Sequence, residues 1–147
     1  PQALRDLSVS LNNVGAVERD LGNLEAARAA YRESLDIARR LREAVGDTPQ
    51  ALRDLSISLN NVGAVERDLG NLEAARTAWR ESLELMRRLC RTFPDNPGYR
   101  RNLAAIEARA KTAADPSPAR PPREPAAPEK PGGFVSRIRE LVGNLLG

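Results

Sequence analysis

Residues 1–48 and 49–96 are two copies of one sequence: aligned end to end, 36 of 48 positions are identical. The stretch "SLNNVGAVERDLGNLEAARAAYRESL" at 10–35 returns at 58–83 with only Ala29 replaced by Thr77 and Tyr31 by Trp79. Pro1, Pro49 and Pro97 open three successive units, and the third keeps Arg101 and Leu103 before it departs. A period of this length constrains the chain more than any other feature. One such unit cannot bury its own apolar face, so copies must stack on one another as a solenoid, a propeller or an array. An active site is normally built once, whereas a stack builds an extended surface.

The period inside each unit is helical. Leu4, Leu7, Leu11, Val14 and Leu21 lie on one stripe at helical spacing. In the second half of the unit Leu24, Ala27, Tyr31, Leu35, Ala38, Leu41 and Val45 form another. "DLGNLE" divides the two: Gly22 can take the left-handed closing conformation, and Asn23 is placed to cap the helix that follows. Thr48 before Pro49, and Asn96 before Pro97, predict capped starts for the first helices of the next two units. Asp36 with Arg40 and Glu84 with Arg88 are spaced for acid-before-base pairs along the second helices. No stretch alternates like a strand, so the expected class is all-α.

These residues resemble the tetratricopeptide repeat family. Leu11, Val14-Gly15, Ala27 and Tyr31 stand at the spacing of its motif, and Leu59, Val62-Gly63, Ala75 and Trp79 repeat it in register. Glu18 and Glu66 occupy a position where an aromatic is common, Ser34 a usual Ala, and Arg39 the place where Pro would end the second helix. The 48-residue unit, longer than the family's 34, and the "LNNVG" stretch look most like the kinesin light chain type. The resemblance covers residues 1 to about 110 and implies a solenoid of helical hairpins in a right-handed superhelix. Gly15 and Ala27 then read as small because two helices cross closely there, and Tyr31 and Trp79 as core.

The resemblance further implies that the first helix of each unit lines a groove. Arg5, Asn12 and Arg19 are seven apart and share one face of that helix. Arg53, Asn60 and Arg67 repeat the row, and Arg101 extends it. Asn can both donate to and accept from an extended peptide, and Arg can fork a carboxylate. These seven residues are the candidate partner-binding set, with a protein or peptide ligand, acidic in character, as the expected occupant. The competing reading is a solvated face whose charges pair locally.

The C-terminal part differs in kind. Residues 114–133, "ADPSPARPPREPAAPEKPGG", hold seven prolines, which predicts an extended linker reaching about 60 Å. Beyond it Phe134, Ile138, Leu141, Val142 and Leu145 fall on one stripe of an amphipathic helix. That stripe has four destinations: the open end of its own solenoid, a partner or second copy, a membrane surface, or none. The membrane is the weaker destination, because the helix carries two Arg and one Glu. The predicted organisation is a repeat at 1–48, a repeat at 49–96, a closing helix at 97–113, a linker at 114–133 and a terminal helix at 134–147.

Composition narrows the function. The chain has no His, which removes the usual base near neutral pH and the commonest metal ligand. No Gly-rich phosphate loop, activated nucleophile or metal-ligand cluster is written in it, so catalytic, cofactor and metal sites are all expected to be absent. Cys90, beside Arg91, reads as a part-buried small residue. A single cysteine precludes an internal disulfide and fits a reducing, cytoplasmic setting. A net charge of +3, from 23 basic and 20 acidic residues, is mixed charge rather than a nucleic-acid footprint. No apolar run is long enough to span a bilayer. The first residue is Pro rather than Met, which predicts a piece of a longer protein. The expected function is a non-catalytic interaction scaffold, with a self-assembly element as the alternative.

Overall fold

The computed structural model of the chain describes residues 2–114, with side chains as far as 112. Five helices follow one another: α1 (Gln2–Asp20), α2 (Leu24–Val45), α3 (Pro49–Asp68), α4 (Leu72–Thr92) and α5 (Pro97–Ala114). α1 with α2 and α3 with α4 form hairpins, α2 packs on α3, and α4 on α5. The first helices also touch along a row, α1 with α3 and α3 with α5. The expected all-helical solenoid is the observed one, and the closing helix runs one residue further than its predicted end. The Pro-rich segment beyond α5 and the stripe of Phe134, Ile138, Leu141, Val142 and Leu145 lie outside the described residues.

The punctuation largely follows the sequence. Gly22 and Gly70 sit at φ +85° and +83° and close α1 and α3, a conformation any Cβ would strain. The Thr48 hydroxyl accepts from the Ala51 amide ahead of Pro49. Asn96 Oδ1 accepts from the amides of Gly98 and Tyr99 at the head of α5. Asn23 and Asn71 are exceptions. Neither caps its helix through the side chain. Each Nδ2 reaches back instead, 2.7 Å from Glu18 and Glu66 respectively. The arginine of one expected helical pair is likewise drawn elsewhere, since Arg88 reaches Asp47 in the α2–α3 connection.

Packing inside a hairpin turns on one missing side chain. A Cβ on Gly15 would lie 2.6 Å from the Tyr31 ring, and one on Gly63 would lie 2.6 Å from Trp79 Nε1. The glycines are therefore seats for the aromatic rings, and both rings are buried. Ala27 and Ala75 are fully buried, as the close crossing requires. A seam of hydroxyls runs beside this core. Ser8 Oγ and Ser34 Oγ are 2.8 Å apart, Ser56 Oγ and Ser82 Oγ 2.9 Å, and Ser34 Oγ reaches Ser58 Oγ at 3.2 Å between the units. Ser34 and Ser82 also donate to the carbonyls of Ser8 and Ser56, so these buried polar atoms are satisfied.

Burial is uneven between the copies. Leu52, Leu55, Val62 and Val65 of α3 are buried, while Leu4, Leu7, Val14 and Val17 of α1, the same residues one unit earlier, are about half exposed. The stripe on α1 is helical as expected, but it is not core. In α5, Ile106 is buried, and Tyr99, Leu103 and Ala110 pack around it against the same cluster.

Candidate functional site

The polar row on the first helices is a ladder between units. Arg5 Nε donates to Asp54 Oδ2 at 3.0 Å, Asn61 Nδ2 to Asn12 Oδ1 at 3.1 Å, and Arg19 Nε to Asp68 Oδ2 at 2.6 Å. Each rung joins positions 49 apart, one more than the repeat, because neighbouring helices meet side by side with a one-residue offset. Arg5, Asn12 and Arg19 thus spend hydrogen bonds on the next unit. Asp54, Asn61 and Asp68, their partners, were not singled out by the sequence reading. The signal was present in the sequence, but the offset is a property of the packed helices.

The ladder stops at α5. Advanced by one unit, its rungs would join Arg53 to residue 102, Asn60 to 109 and Arg67 to 116, where the sequence holds Asn102, Arg109 and Pro116. Neither Asn102 nor Arg109 reproduces the group found one unit earlier. Arg53 lies 3.9 Å from Asp54 on its own helix. Arg67 donates to its neighbour Asp68 at 2.9 Å, with its guanidinium 5.9 Å from the Trp79 ring centroid, within cation–π range. Arg101 is exposed. Asn60 Oδ1 is shut off from solvent with no hydrogen-bond partner among the described residues, although its backbone carbonyl accepts from Trp79 Nε1 at 3.3 Å.

Asn60 lines a recess of about 160 Å³ between α3, α4 and α5, with Ser56, Met86, Asn102, Ile106 and Arg109 around it. Its lining mixes apolar side chains with the Arg109 guanidinium and the Asn102 amide. A larger recess, of about 390 Å³, lies elsewhere among Arg39, Arg42, Glu43, Asp47 and Glu81. Apart from Glu43 its charges are paired: Arg39 with Glu81, and Arg42 with Asp47, which Arg88 also reaches. The bonds from these two arginines pull the Asp47 carboxyl down to about 2.

Two further groups belong to the unit interface. Glu66, 1% exposed, receives Arg32 Nη2 of the preceding unit at 2.6 Å and Asn71 Nδ2 at 2.7 Å. Burial works to raise its pKa, but the bonds from Asn71 and Arg32 outweigh it and hold the carboxyl below its ordinary value. Burial pushes the Tyr31 phenol up; Asp20 and Asp68 add to the effect while Arg19 and Arg109 oppose it.

Among the described residues, no helix is long and apolar enough to cross a membrane. Cys90 is a free thiol, partly buried. No curated protein and no solved structure matches the chain significantly. A family model described as tetratricopeptide repeat matches residues 7–45 and again 56–97, one match within each unit. With two matched hairpins, their glycine seats and their side-by-side stacking, the chain belongs to the tetratricopeptide repeat family.

Proposed function

We propose that the chain is an interaction scaffold that holds a segment of a partner protein on the face of its first helices, over α3 and α5. Tetratricopeptide repeats in general mediate contacts between proteins and are non-catalytic scaffolds. The observation that carries the location is the interrupted ladder. Where α1 meets α3 the polar groups satisfy each other; where α3 meets α5 they leave a buried acceptor, Asn60 Oδ1, beside Arg109 and Asn102. A buried acceptor without a donor costs about 1–3 kcal/mol, and a peptide N–H would remove that cost once a side-chain shift at the recess opened the oxygen to it. Arg109 beside it, with Arg53 and Arg67 further along α3 and Arg101 on α5, favours an acidic segment. Arg5, Asn12 and Arg19 act in this reading through the ladder, by setting the spacing of the row.

The test selects from a peptide library of unbiased composition on the intact chain and titrates the selected peptide calorimetrically. Asn60→Ala, or Arg53→Ala with Arg67→Ala, should weaken the selected peptide by about 1–3 kcal/mol per lost contact with helicity retained. Arg5→Ala, which acts only through the ladder, should weaken it less than the α3 variants do. Affinity that is indifferent to the α3 variants, or a selection without acidic residues, would overturn the reading.

The terminal stripe of Phe134, Ile138, Leu141, Val142 and Leu145 fits the same scheme as a cover for α5. That helix has no second helix of its own among the described residues. Replacing Ile138 and Leu141 by Asp should then lower the melting temperature; an unchanged melt would assign the stripe to a partner, a second copy or a membrane. The free thiol of Cys90 is compatible with the cytoplasmic setting this reading assumes.

A further inference from the structure

The recess between α3, α4 and α5 sits where the third unit departs from the repeat. Advancing α3 by one unit onto α5 puts Ala105 in the place of Ile57 and Arg109 in the place of Asn61. A methyl group replaces a branched chain, which leaves space, about 160 Å³ of it. A guanidinium replaces a carboxamide, and the hydrogen bond that carboxamide made is lost. Asn12 and Asn60 are the same residue of successive units. Asn12 Oδ1 accepts from the Asn61 amide at 3.1 Å, whereas Asn60 Oδ1 is buried and accepts from nothing among the described residues. The fold therefore displays, one unit away, the group that satisfies this oxygen.

What enters the recess has to donate to Asn60 and accept from Arg109 and Asn102. A carboxylate only accepts, so it would answer Arg109 while setting its lone pairs against Asn60 Oδ1. An ammonium only donates, and it would meet Arg109 with like charge. A carboxamide carries an NH2 and a carbonyl side by side on one planar group and answers both. It also suits either orientation of the Asn60 amide, since it complements the nitrogen as well as the oxygen. Hydroxyls donate and accept through a single oxygen, and those of serine and threonine sit on short stems. Glutamine has two methylenes to lay along Ile57, Met86 and Ile106, which line the recess. Entry needs the lining to shift, and Arg109, long and exposed, is the side chain that can do so without repacking the core.

We propose that the recess is a specificity pocket for a glutamine side chain of the bound partner, with its N–H on Asn60 Oδ1 and its carbonyl facing Arg109 and Asn102. This rests on the α3–α5 face holding a partner segment, and it adds which neutral residue that segment carries. Acidic residues draw the segment to the face; the glutamine fixes its register there.

The test selects from an unbiased peptide library on the intact chain, substitutes the selected peptide position by position, and reads binding by calorimetry. One glutamine position should recur. Its replacement by glutamate, nearly equal in size, should weaken binding at least about tenfold, because a buried acceptor is left facing another. Arg53→Ala in the chain should weaken the glutamine and glutamate peptides alike, leaving their ratio as it was. Arg109→Asn should abolish the ratio, because a carboxamide at that register supplies the N–H from within, as Asn61 does for Asn12. Ala105→Ile is a second variant, which restores the branched chain. It should weaken the glutamine peptide by a similar factor with the melting temperature unchanged or raised. Acidic peptides that bind through α3 yet tolerate glutamate at every position overturn the glutamine pocket and leave the α3–α5 site standing. A tyrosine, serine or threonine recurring in place of the glutamine does the same. Peptides indifferent to the α3 variants remove both. Side-chain amide signals of Asn60 that move on deletion of residues 134–147 would put the chain's own segment in the recess and overturn the partner's glutamine.

Discussion

At the scale of single residues, the most constrained positions are the glycines under the aromatic rings. Gly63→Ala would drive a methyl group into the Trp79 indole, whose nearest atom stands at 2.6 Å. The ring is fully buried and its Nε1 is anchored to the Asn60 carbonyl, so it cannot swing away freely. We expect a loss of about 1–3 kcal/mol by urea denaturation, as for overpacking generally. Loss below about 0.5 kcal/mol would show that the helices separate easily. Glu66 gives a second prediction, in pH. Its folded pKa lies below the ordinary 4.5, so its contribution to stability is complete above that value and disappears as pH falls through the folded pKa. Glu66→Gln should therefore cost about 1–3 kcal/mol near neutrality and flatten the fall in stability between about pH 5 and 3. An acid limb parallel to that of the parent chain would assign the pH dependence to other carboxylates, Asp47 first among them.

At the scale of helices, much was legible in advance, because ends and stripes are written locally. Pro49 after Thr48, Gly22 after Leu21, and the spacing of Ala27, Tyr31, Leu35 and Ala38 each carry their meaning within a few residues. What was not legible depends on where a neighbouring helix lies. Asn23 has the composition of a cap, but the closing turn at Gly22 brings its amide to Glu18, and that contact prevails. The row of Arg5, Asn12 and Arg19 is legible as a row, but its carboxylate and amide partners lie 49 residues on, and no local pattern predicts that offset. The orphaned Asn60 oxygen is legible only by comparing Asn61 with Arg109 once the offset is known. A prediction separates true caps from apparent ones. Thr48→Ala should cost about 1 kcal/mol, and Asn23→Ala less than half of that, since it breaks only an exposed side-chain contact. Equal costs in thermal unfolding would refute the distinction.

At the scale of the whole molecule, stacking makes stability approximately a sum over units and the seams between them. The seams differ in number: α3 and α4 have a unit on one side and α5 on the other, whereas α1 has a hairpin partner and one seam. Trp79, the chain's single tryptophan, sits in the better-supported unit and reports on it alone. Far-ultraviolet dichroism, summed over all helices, should therefore begin to fall at a lower temperature than Trp79 fluorescence changes. Coincident transitions would mean that the two hairpins unfold as one cooperative body.

The seam between units has a consequence for how such a protein changes over generations. Both sides of the interface are encoded in the same 48 residues: the donors Arg5 and Arg19 and the acceptors Asp6 and Asp20 sit on one first helix, and the acceptors' counterparts in the next copy are Asp54 and Asp68. A unit duplicated by a slip in copying the gene would therefore arrive with its partner surface already made. One removed the same way would leave two faces that still match. Selection could adjust the length of the array in a single genetic step, without first evolving a new interface.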